Sequence, residues 1–206
     1  ASLAMTEVGG RILQQLLEVA PNTTWEPLFD ELRADIWGIS RSPHGDFVLQ
    51  AFSVPFELRR EVAEALLGLC WGVASNRFGC RIICRLFEHA SLEPETEELA
   101  SEFLLLVADP GLGGLYHQYP FGSLLEHGSE PQKARAFEAL FGRLREEGWP
   151  PQKGTASLIH EALCVLPRRS PSAKALLGGG VGRGRLYILG LPLGRVISGG
   201  WAGTPP

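Results

Sequence analysis

The segment "SNRFGCRIICRLFEHA" spans Ser75–Ala90 and has the pattern of one short amphipathic helix with a turn in front of it. Its apolar residues recur at spacings that place them on one helical face; they are Ile82, Ile83, Leu86 and Phe87. Cys80, Arg81 and Cys84 fall on a different strip of the same helix. The sequence predicts that this second strip is exposed, and it raises the question of why two thiols and a guanidinium stand there.

The same frame returns along the chain at a regular interval. Five ungapped matches begin at residues 9, 45, 79, 117 and 155, with separations of 36, 34, 38 and 38 residues. Each match combines apolar pairs at helical spacing with polar or small residues on the other strip. Self-similarity with a period of roughly 20 to 50 residues is the signature of a repeat architecture. The sequence therefore predicts five successive repeats.

Other helical segments lie between the matches. Residues 59–69 and 133–145 have helical apolar spacing and good helix formers, and residues 35–40 and 71–75 are predicted as short helices just ahead of a frame. Prolines stand shortly before several of these segments, where a proline can open a helix but not continue one. Each unit is then a helix, a tight turn at glycine and a second helix. We predict an all-α fold, an α-solenoid of about five repeats.

Composition separates a C-terminal tail from the repeats. Beyond residue 170 glycine recurs at nearly every second or third position, a density that costs too much backbone entropy for a stable helix. We predict a repeat domain over residues 1–169 and an unstructured glycine-rich tail over residues 170–206. The longest apolar runs are too short to span a bilayer, and we expect no secretory signal peptide.

Cysteine usage and charge limit the surroundings of the chain. The four cysteines form no CxxC pair, which favours free thiols in a reducing compartment. All 23 acidic residues but only 15 of the 19 basic residues lie in residues 1–170. This acidic balance argues against broad non-specific attraction to phosphate, although a local basic strip is compatible with it.

The frame resembles the repeat of a known family. The segment at Ser75 is similar to a Pumilio (PUF) repeat, whose second helix reads roughly G-C-R-V-I-Q-R-I-L-E-H. The segment "LYHQYPFGSLLEHGSEPQKAR", residues 115–135, resembles the form Q-Y-G-N-Y-V-I-Q-H-V-L-E-H-G, and "SPHGDFVLQAF", residues 42–52, looks like a third repeat. The resemblance covers residues 1 to 168, with fewer repeats than the family typically has.

The resemblance implies which side chains contact a ligand. In that family each repeat reads one RNA base with three side chains of its second helix. Two of them, at frame positions i and i+4, touch the base edge, and we call these the edge positions. The side chain at i+1, the stacking position, lies between bases. The edge residues implied here are Gln14, Asp46, Gln50, Cys80, Cys84, Gln118 and His160, and the stacking residues are Arg11, Phe47, Arg81 and Tyr119.

The stacking position carries the clearest pattern. Its first four members are all planar, and aromatic and guanidinium planes are the groups that stack on bases. Ser157 interrupts the series in the fifth repeat. Three edge positions, Gly10, Gly122 and Ala156, lack a hydrogen-bonding side-chain group. Because direct readout needs such groups, we expect weak base specificity in repeats four and five.

Catalytic and metal-binding interpretations find less support in the sequence. Cys80 and Cys84 have no third ligand at helical spacing, so we expect neither a metal nor another cofactor. His44, His89 and His127 fall at predicted turns or helix ends, where capping is the ordinary role. No nucleophile motif of the GxSxG type is present, and we expect no enzymatic activity.

Two functions remain open at this stage. The resemblance implies binding of single-stranded RNA, in particular untranslated regions of mRNA, with a role in post-transcriptional and translational regulation. It also implies a monomer in the cytoplasm, with the nucleus and nucleolus as alternatives, and protein partners on the convex face but no membrane. The alternative is a degenerate helical-repeat scaffold that binds a protein or a structured RNA without base-specific readout.

Overall fold

A computed structural model describes residues 1–21, 24–112, 116–147, 152–165, 187–188 and 191–192. The chain divides into two compact units, Ala1–Glu161 and Ala162–Pro206. After a short 3₁₀ turn at Ser2–Met5, the helices follow in chain order. They are α1 Glu7–Val19, α2 Trp25–Arg33, α3 Ile36–Ser40, α4 Gly45–Phe52, α5 Phe56–Leu66, α6 Cys70–Ala74, α7 Gly79–Ala90, α8 Pro94–Ala108, α9 Gln118–His127, α10 Glu130–Glu147 and α11 Lys153–Val165.

Two rows of helices form the first unit. The helices that carry the repeated frame pack in order, α1 on α4, α4 on α7 and α7 on α9, and they make up the inner row. Helices α5, α8 and α10 pack in order as the outer row, and α4, α7 and α9 each contact the outer helix that follows them. Each repeat thus buries its apolar face on its neighbours, as a solenoid requires. The predicted all-α solenoid is confirmed.

The core lies between the two rows and is rich in phenylalanine. Phe87 of α7 and Phe103 of α8 are buried with ring centroids 5.9 Å apart, and Phe29 and Phe52 make a similar pair at 5.5 Å. Such tilted aromatic pairs contribute about 0.5 to 1.5 kcal/mol beyond the area that they bury. They join the inner helix of a repeat to the neighbouring helices.

The glycines at the start of α4 and α7 permit a close approach of backbone. A Cβ atom on Gly45 would lie 2.4 Å from the Ile39 carbonyl oxygen, and one on Gly79 would lie 2.5 Å from that of Val73. The turn before Gly79 is closed by Asn76, whose Oδ1 accepts a hydrogen bond from the Gly79 N–H at 3.2 Å. The predicted tight turn at glycine is therefore explained by packing of the short preceding helix on the first turn of the next one.

The helix of the fourth repeat begins without glycine. His117 stands directly before α9, which starts at Gln118. Pro120 is then the third residue of the helix, where no intrahelical donor is needed. The proline is therefore accommodated in the first turn of α9 without the loss of a backbone hydrogen bond.

Side chains also connect repeats across one period of the chain. The Arg59 Nε donates to Glu93 Oε1 at 2.6 Å, and the Gln132 Nε2 donates to the Ser91 carbonyl at 2.8 Å. Arg143 is fully buried and donates to the carbonyl oxygens of Val107, Asp109 and Leu112, and its Nε lies 2.6 Å from Thr155 Oγ1. This guanidinium ties the end of α8 and the loop after it to α10 and α11.

Most predicted helix boundaries lie within three residues of the observed ones. The helix predicted at 59–69 spans Phe56–Leu66, the one at 133–145 spans Glu130–Glu147, and the short helices span Ile36–Ser40 and Cys70–Ala74. The two longer helices begin earlier because prolines open them or stand in their first turn. These segments are confirmed as helices.

The first repeat departs from the predicted burial. All four apolar frame residues were expected to face the core, but Ile12 and Leu16 are exposed while Leu13 and Leu17 are buried. Helix α1 stands at the end of the inner row, so α4 covers it on one side only. In α7, which has inner-row neighbours on both sides, the equivalent residues are all buried.

Beyond residue 165, the structure describes two short segments of the chain. Tyr187–Ile188 and Leu191–Pro192 form a two-stranded antiparallel pair, which is a local exception to the predicted absence of regular structure. The rest of residues 170–206, and the predicted domain boundary at residue 169, lie outside the described residues. Within the described residues, every helix is too short or too polar to traverse a lipid bilayer.

Candidate nucleic-acid interface

The four planar residues of the stacking position lie on successive helices of the inner row. Phe47 of α4 and Tyr119 of α9 keep 45% and 46% of their surface exposed. The side chains of Arg11 on α1 and Arg81 on α7 are 75% and 38% exposed. Because α1, α4, α7 and α9 pack in order, these residues form one row, which we call the planar row.

The exposure of the planar row follows from the frame. In α7 the apolar residues at 82, 83, 86 and 87 are buried between the two rows of helices, which turns Arg81 away from the core. Phe47 and Tyr119 occupy the same frame position in α4 and α9 and are turned outward for the same reason. Exposed aromatic rings on a regular lattice of helices form a surface on which flat ligands can stack.

A cleft separates the first two members of the planar row. It has a volume of about 360 Å³ and is lined by Arg11, Gln14, Phe47 and neighbouring residues of α1 and of the turn before α4. Gln14 points its Nε2 toward the Gly10 carbonyl at 3.2 Å, and Arg11 pairs with Glu7 at 2.9 Å. One planar group therefore stands on either side of the cleft, with an amide between them.

The planar row continues from the second repeat to the third through a contact of its own members. The Cζ atom of Arg81 lies 5.9 Å from the ring centroid of Phe47, within the range of a cation–π contact. Its Nη1 is 3.6 Å from Asp46 Oδ2, which also accepts a hydrogen bond from Gln50 Nε2 at 3.2 Å. The side chains of these two repeats form one polar cluster.

Asp46 is buried in that cluster, whereas the sequence predicted an exposed position for it. Its side chain has no exposed surface, and among the described residues its Oδ1 has no hydrogen-bond partner. Burial raises the pKa of Asp46 to about 6, and the charges of Arg81 and His44 partly offset this effect. Asp46 is covered because Arg81 reaches across from the next repeat, an interaction that no single repeat encodes.

The two thiols of the third repeat are less accessible than predicted. Cys80 is 4% exposed, and its Sγ donates to the Arg77 carbonyl at 3.6 Å. Burial raises the pKa of Cys80 to about 11 and shifts that of Cys84 further in the same direction. Both groups therefore remain thiols at neutral pH, which makes them poor nucleophiles and poor metal ligands. No cluster of three His, Cys, Asp or Glu side chains suited to a metal occurs among the described residues.

The fourth and fifth repeats have different surroundings. Gln118 is 6% exposed, and its Oε1 is buried without a hydrogen-bond partner among the described residues. Tyr119 stacks on Tyr116, with ring centroids 6.5 Å apart and an interplanar angle of 29°. His160 is exposed, whereas Ser157 donates its hydroxyl to the Lys153 carbonyl at 3.0 Å. Tyr116 was missed by the sequence analysis because it precedes the frame.

Sequence comparison links these repeats to a family. The sequence model of the Pumilio-family RNA binding repeat matches residues 1–33, 70–104 and 123–141. These segments include α1, α7 and the second half of α9, three helices of the inner row. These three segments are similar to the Pumilio repeat. No curated protein matches the chain.

Solved Pumilio structures share the fold. The chain resembles the RNA-binding domain of yeast Puf5p bound to SMX2 RNA, with a TM-score of 0.64 and 14% identity over 81% of this chain and 48% of that one. It is similar to PUF-8 in complex with PBE-RNA, with a TM-score of 0.66 and 18% identity over 84% of this chain and 50% of that one. It is also similar to the Puf3 RNA-binding domain bound to a 3′ UTR recognition sequence, with a TM-score of 0.64 and 18% identity over 85% of this chain and 50% of that one.

These likenesses show the arrangement of helices. The chain spans about half the length of the Pumilio domains that it matches. At identities this low, the role of each edge and stacking residue stays a prediction for this chain.

Proposed function

We propose that the planar row binds single-stranded RNA, with bases stacked between its side chains. The observation that carries the proposal is the exposure of Arg11, Phe47, Arg81 and Tyr119 on one face of successive Pumilio repeats. Stacking on an aromatic or guanidinium plane contributes about 1 to 3 kcal/mol per base. Four such planes give a surface suited to a short unpaired segment.

The cleft between Arg11 and Phe47 supports this proposal. Its volume of about 360 Å³ leaves room for a flat base between the two side chains, and Gln14 can donate or accept a hydrogen bond at its edge. Double-stranded RNA presents its bases already stacked and paired, so it could not insert one between the side chains. The geometry therefore favours unpaired RNA.

The charge of the chain supports recognition by stacking more than by phosphate contacts. The acidic balance of residues 1–170 gives little long-range attraction for a polyanion. Arg11 and Arg81 also have acidic neighbours, Glu7 and Asp46. We expect the affinity to fall less steeply with salt than that of a strongly basic RNA-binding protein.

Fluorescence anisotropy with a short RNA rich in uridine and adenine tests the proposal. We expect the double variant Arg81→Ala with Tyr119→Ala to weaken binding roughly thirtyfold or more, because it removes two stacking planes. The double variant Arg145→Ala with Leu105→Ala is a matched control, since it also removes one exposed arginine and one large exposed side chain but from the outer row. Equal binding by the wild type and the first variant would refute the proposal.

A regulatory role for the chain follows if the RNA is messenger RNA. Binding of an untranslated region would act on translation or on message stability, and we place this activity in the cytoplasm. The thiols of Cys70, Cys80 and Cys84, which suit a reducing compartment, support that location. Imaging of the tagged chain together with sequencing of cross-linked RNA tests both points, and enrichment of a non-coding nuclear RNA would contradict them.

A further inference from the structure

Gly122 leaves a gap at the second edge position of repeat four, and a residue of repeat five fills it. A Cβ atom on Gly122 would lie 2.5 Å from both Cγ and Oε1 of Glu161. Glu161 belongs to α11, whereas Gly122 belongs to α9. The Glu161 carboxylate therefore stands close to where a side chain of residue 122 would be.

The reach of Glu161 toward the preceding repeat matches a contact seen one repeat earlier. Ser123 occupies the frame position that Glu161 occupies in repeat five, directly after the second edge position. Its Oγ donates to the Cys84 carbonyl at 3.0 Å, so it faces the preceding inner helix. Glu161 extends in the same direction with a longer side chain, and the glycine beneath it gives the carboxylate its place.

A second acceptor stands one turn away on α9. Gln118 is 6% exposed, and its buried Oε1 has no donor among the described residues. A buried carbonyl oxygen without a donor is costly, and a ligand that supplies one removes the cost. Burial raises the pKa of Glu161, against an opposing effect of His160 and with a further contribution from Glu126. A partly desolvated carboxylate gains more from a donor than an exposed one.

We propose that Glu161 and Gln118 form the edge-reading pair of repeat four and select guanine. The carboxylate accepts hydrogen bonds only, and Gln118, one turn before Gly122 on α9, carries a second acceptor that has no donor among the described residues. Guanine presents two neighbouring donors on its Watson–Crick edge, N1–H and N2–H₂. Adenine, cytosine and uracil each present a single donor group there. The inference rests on the proposed binding of single-stranded RNA, and it replaces the weak specificity that Gly122 predicts for this repeat.

Selection from a pool of random single-stranded RNA by the full chain tests the inference without knowledge of the register. We expect the wild type to enrich guanine at one position. Glu161→Gln keeps the size of the side chain but replaces one of its two acceptor oxygens with an NH₂ donor. We expect the guanine preference to fall about tenfold. Gly122→Ala keeps the charge but displaces the carboxylate, and we expect the same loss.

Glu126→Gln is the matched control. It removes one negative charge near the same place from a side chain that is 65% exposed, and we expect it to retain the guanine preference. Thermal unfolding of all three variants identifies any that fails to fold; alanine is favoured over glycine inside α9, and Glu161→Gln is isosteric.

The outcomes separate the two proposals. RNA binding with no guanine position in the wild type, or with a guanine preference that survives both Glu161→Gln and Gly122→Ala, overturns this inference and leaves the RNA-binding proposal intact. Absence of enrichment and of binding for every RNA overturns the proposed function, and this inference with it.

Discussion

Arg81 of α7 lies over the ring of Phe47 on α4, with its Cζ atom 5.9 Å from the ring centroid. This contact joins neighbouring repeats on the exposed face of the solenoid, and the same guanidinium pairs with the buried Asp46. A base that stacks between the two planes must move Arg81 away from Phe47, because two planes that hold a base are about 7 Å apart, twice the usual distance between atoms in contact. The planar row is thus partly closed at this point.

The buried carboxyl of Asp46 makes stability depend on pH. Its pKa is raised from 3.8 to about 6 in the folded chain, so the folded state binds this proton more tightly than the unfolded state. Stability therefore rises as the pH falls through 6 toward 4, and the charged form costs about 2 to 3 kcal/mol at neutral pH. We expect Asp46→Asn to stabilise the chain at neutral pH and to remove this component from urea unfolding curves.

Asp30→Asn is the control for Asp46→Asn, because Asp30 is exposed on α2. The difference between wild type and Asp46→Asn should grow with pH, while that for Asp30→Asn should stay flat. A constant difference for Asp46→Asn across this pH range would contradict the account of its burial.

Equivalent isoleucines in repeats one and three should differ in their contribution to stability. Ile82 is fully buried, whereas Ile12 is 51% exposed at the end of the inner row. We expect Ile82→Ala to lower the free energy of unfolding by about 2 to 5 kcal/mol and Ile12→Ala to lower it by less than about 1 kcal/mol. Chemical denaturation of both variants measures the difference, and similar costs would mean that α1 is covered on its second side.

Two glycine-to-alanine changes should have opposite signs. A Cβ on Gly79 would lie 2.5 Å from the Val73 carbonyl oxygen, so Gly79→Ala should cost about 1 to 3 kcal/mol. Nothing lies within 4 Å of a Cβ on Gly142 inside α10, so Gly142→Ala should stabilise by up to about 1 kcal/mol. Thermal melts of the pair report the sign directly. Stabilisation by Gly79→Ala would exclude the close approach of α6 to α7.

The buried Arg143 should be the most sensitive charged residue of the repeats. Its Nε lies 2.9 Å from Oε1 of Glu147, whose side chain is 1% exposed, so Arg143→Met leaves a buried carboxylate without its counter-ion. We expect a cost of about 3 to 5 kcal/mol, of which the added change Glu147→Gln restores part. Urea unfolding of the single and double variants tests this, and a double variant no more stable than the single one would count against the pairing.

The fold could be predicted from sequence because each repeat states the same pattern. The anchors and the apolar pairs, such as Ile82 and Leu86, recur at a period that only stacked repeats explain. The planar row could be predicted for the same reason, since position i+1 follows from the frame once the apolar face is known. Features that depend on positions within a single repeat, such as its apolar face and its stacking position, can therefore be predicted from the sequence.

What the sequence could not predict depends on contacts between repeats. Asp46 is buried by Arg81 of the next repeat, and Ile12 is exposed because α1 stands at the end of the inner row. Glu161 lies over Gly122 because the side chain after the second edge position points to the preceding helix. The Gly122 gap is the one signal in the sequence that could have directed attention to a neighbouring side chain.

Photo-cross-linking of 4-thiouridine RNA to the full chain, followed by mass spectrometry of the adducts, tests the account most directly. Cross-linking by this base requires contact with the side chain that it modifies. We expect adducts on Phe47 and Tyr119 in the wild type. The double variant Arg81→Ala with Tyr119→Ala should lose them, at Phe47 as well as at the substituted position. Adducts confined to the outer helices α5, α8 and α10 would contradict the account, because the bases would then lie on the opposite face from the planar row.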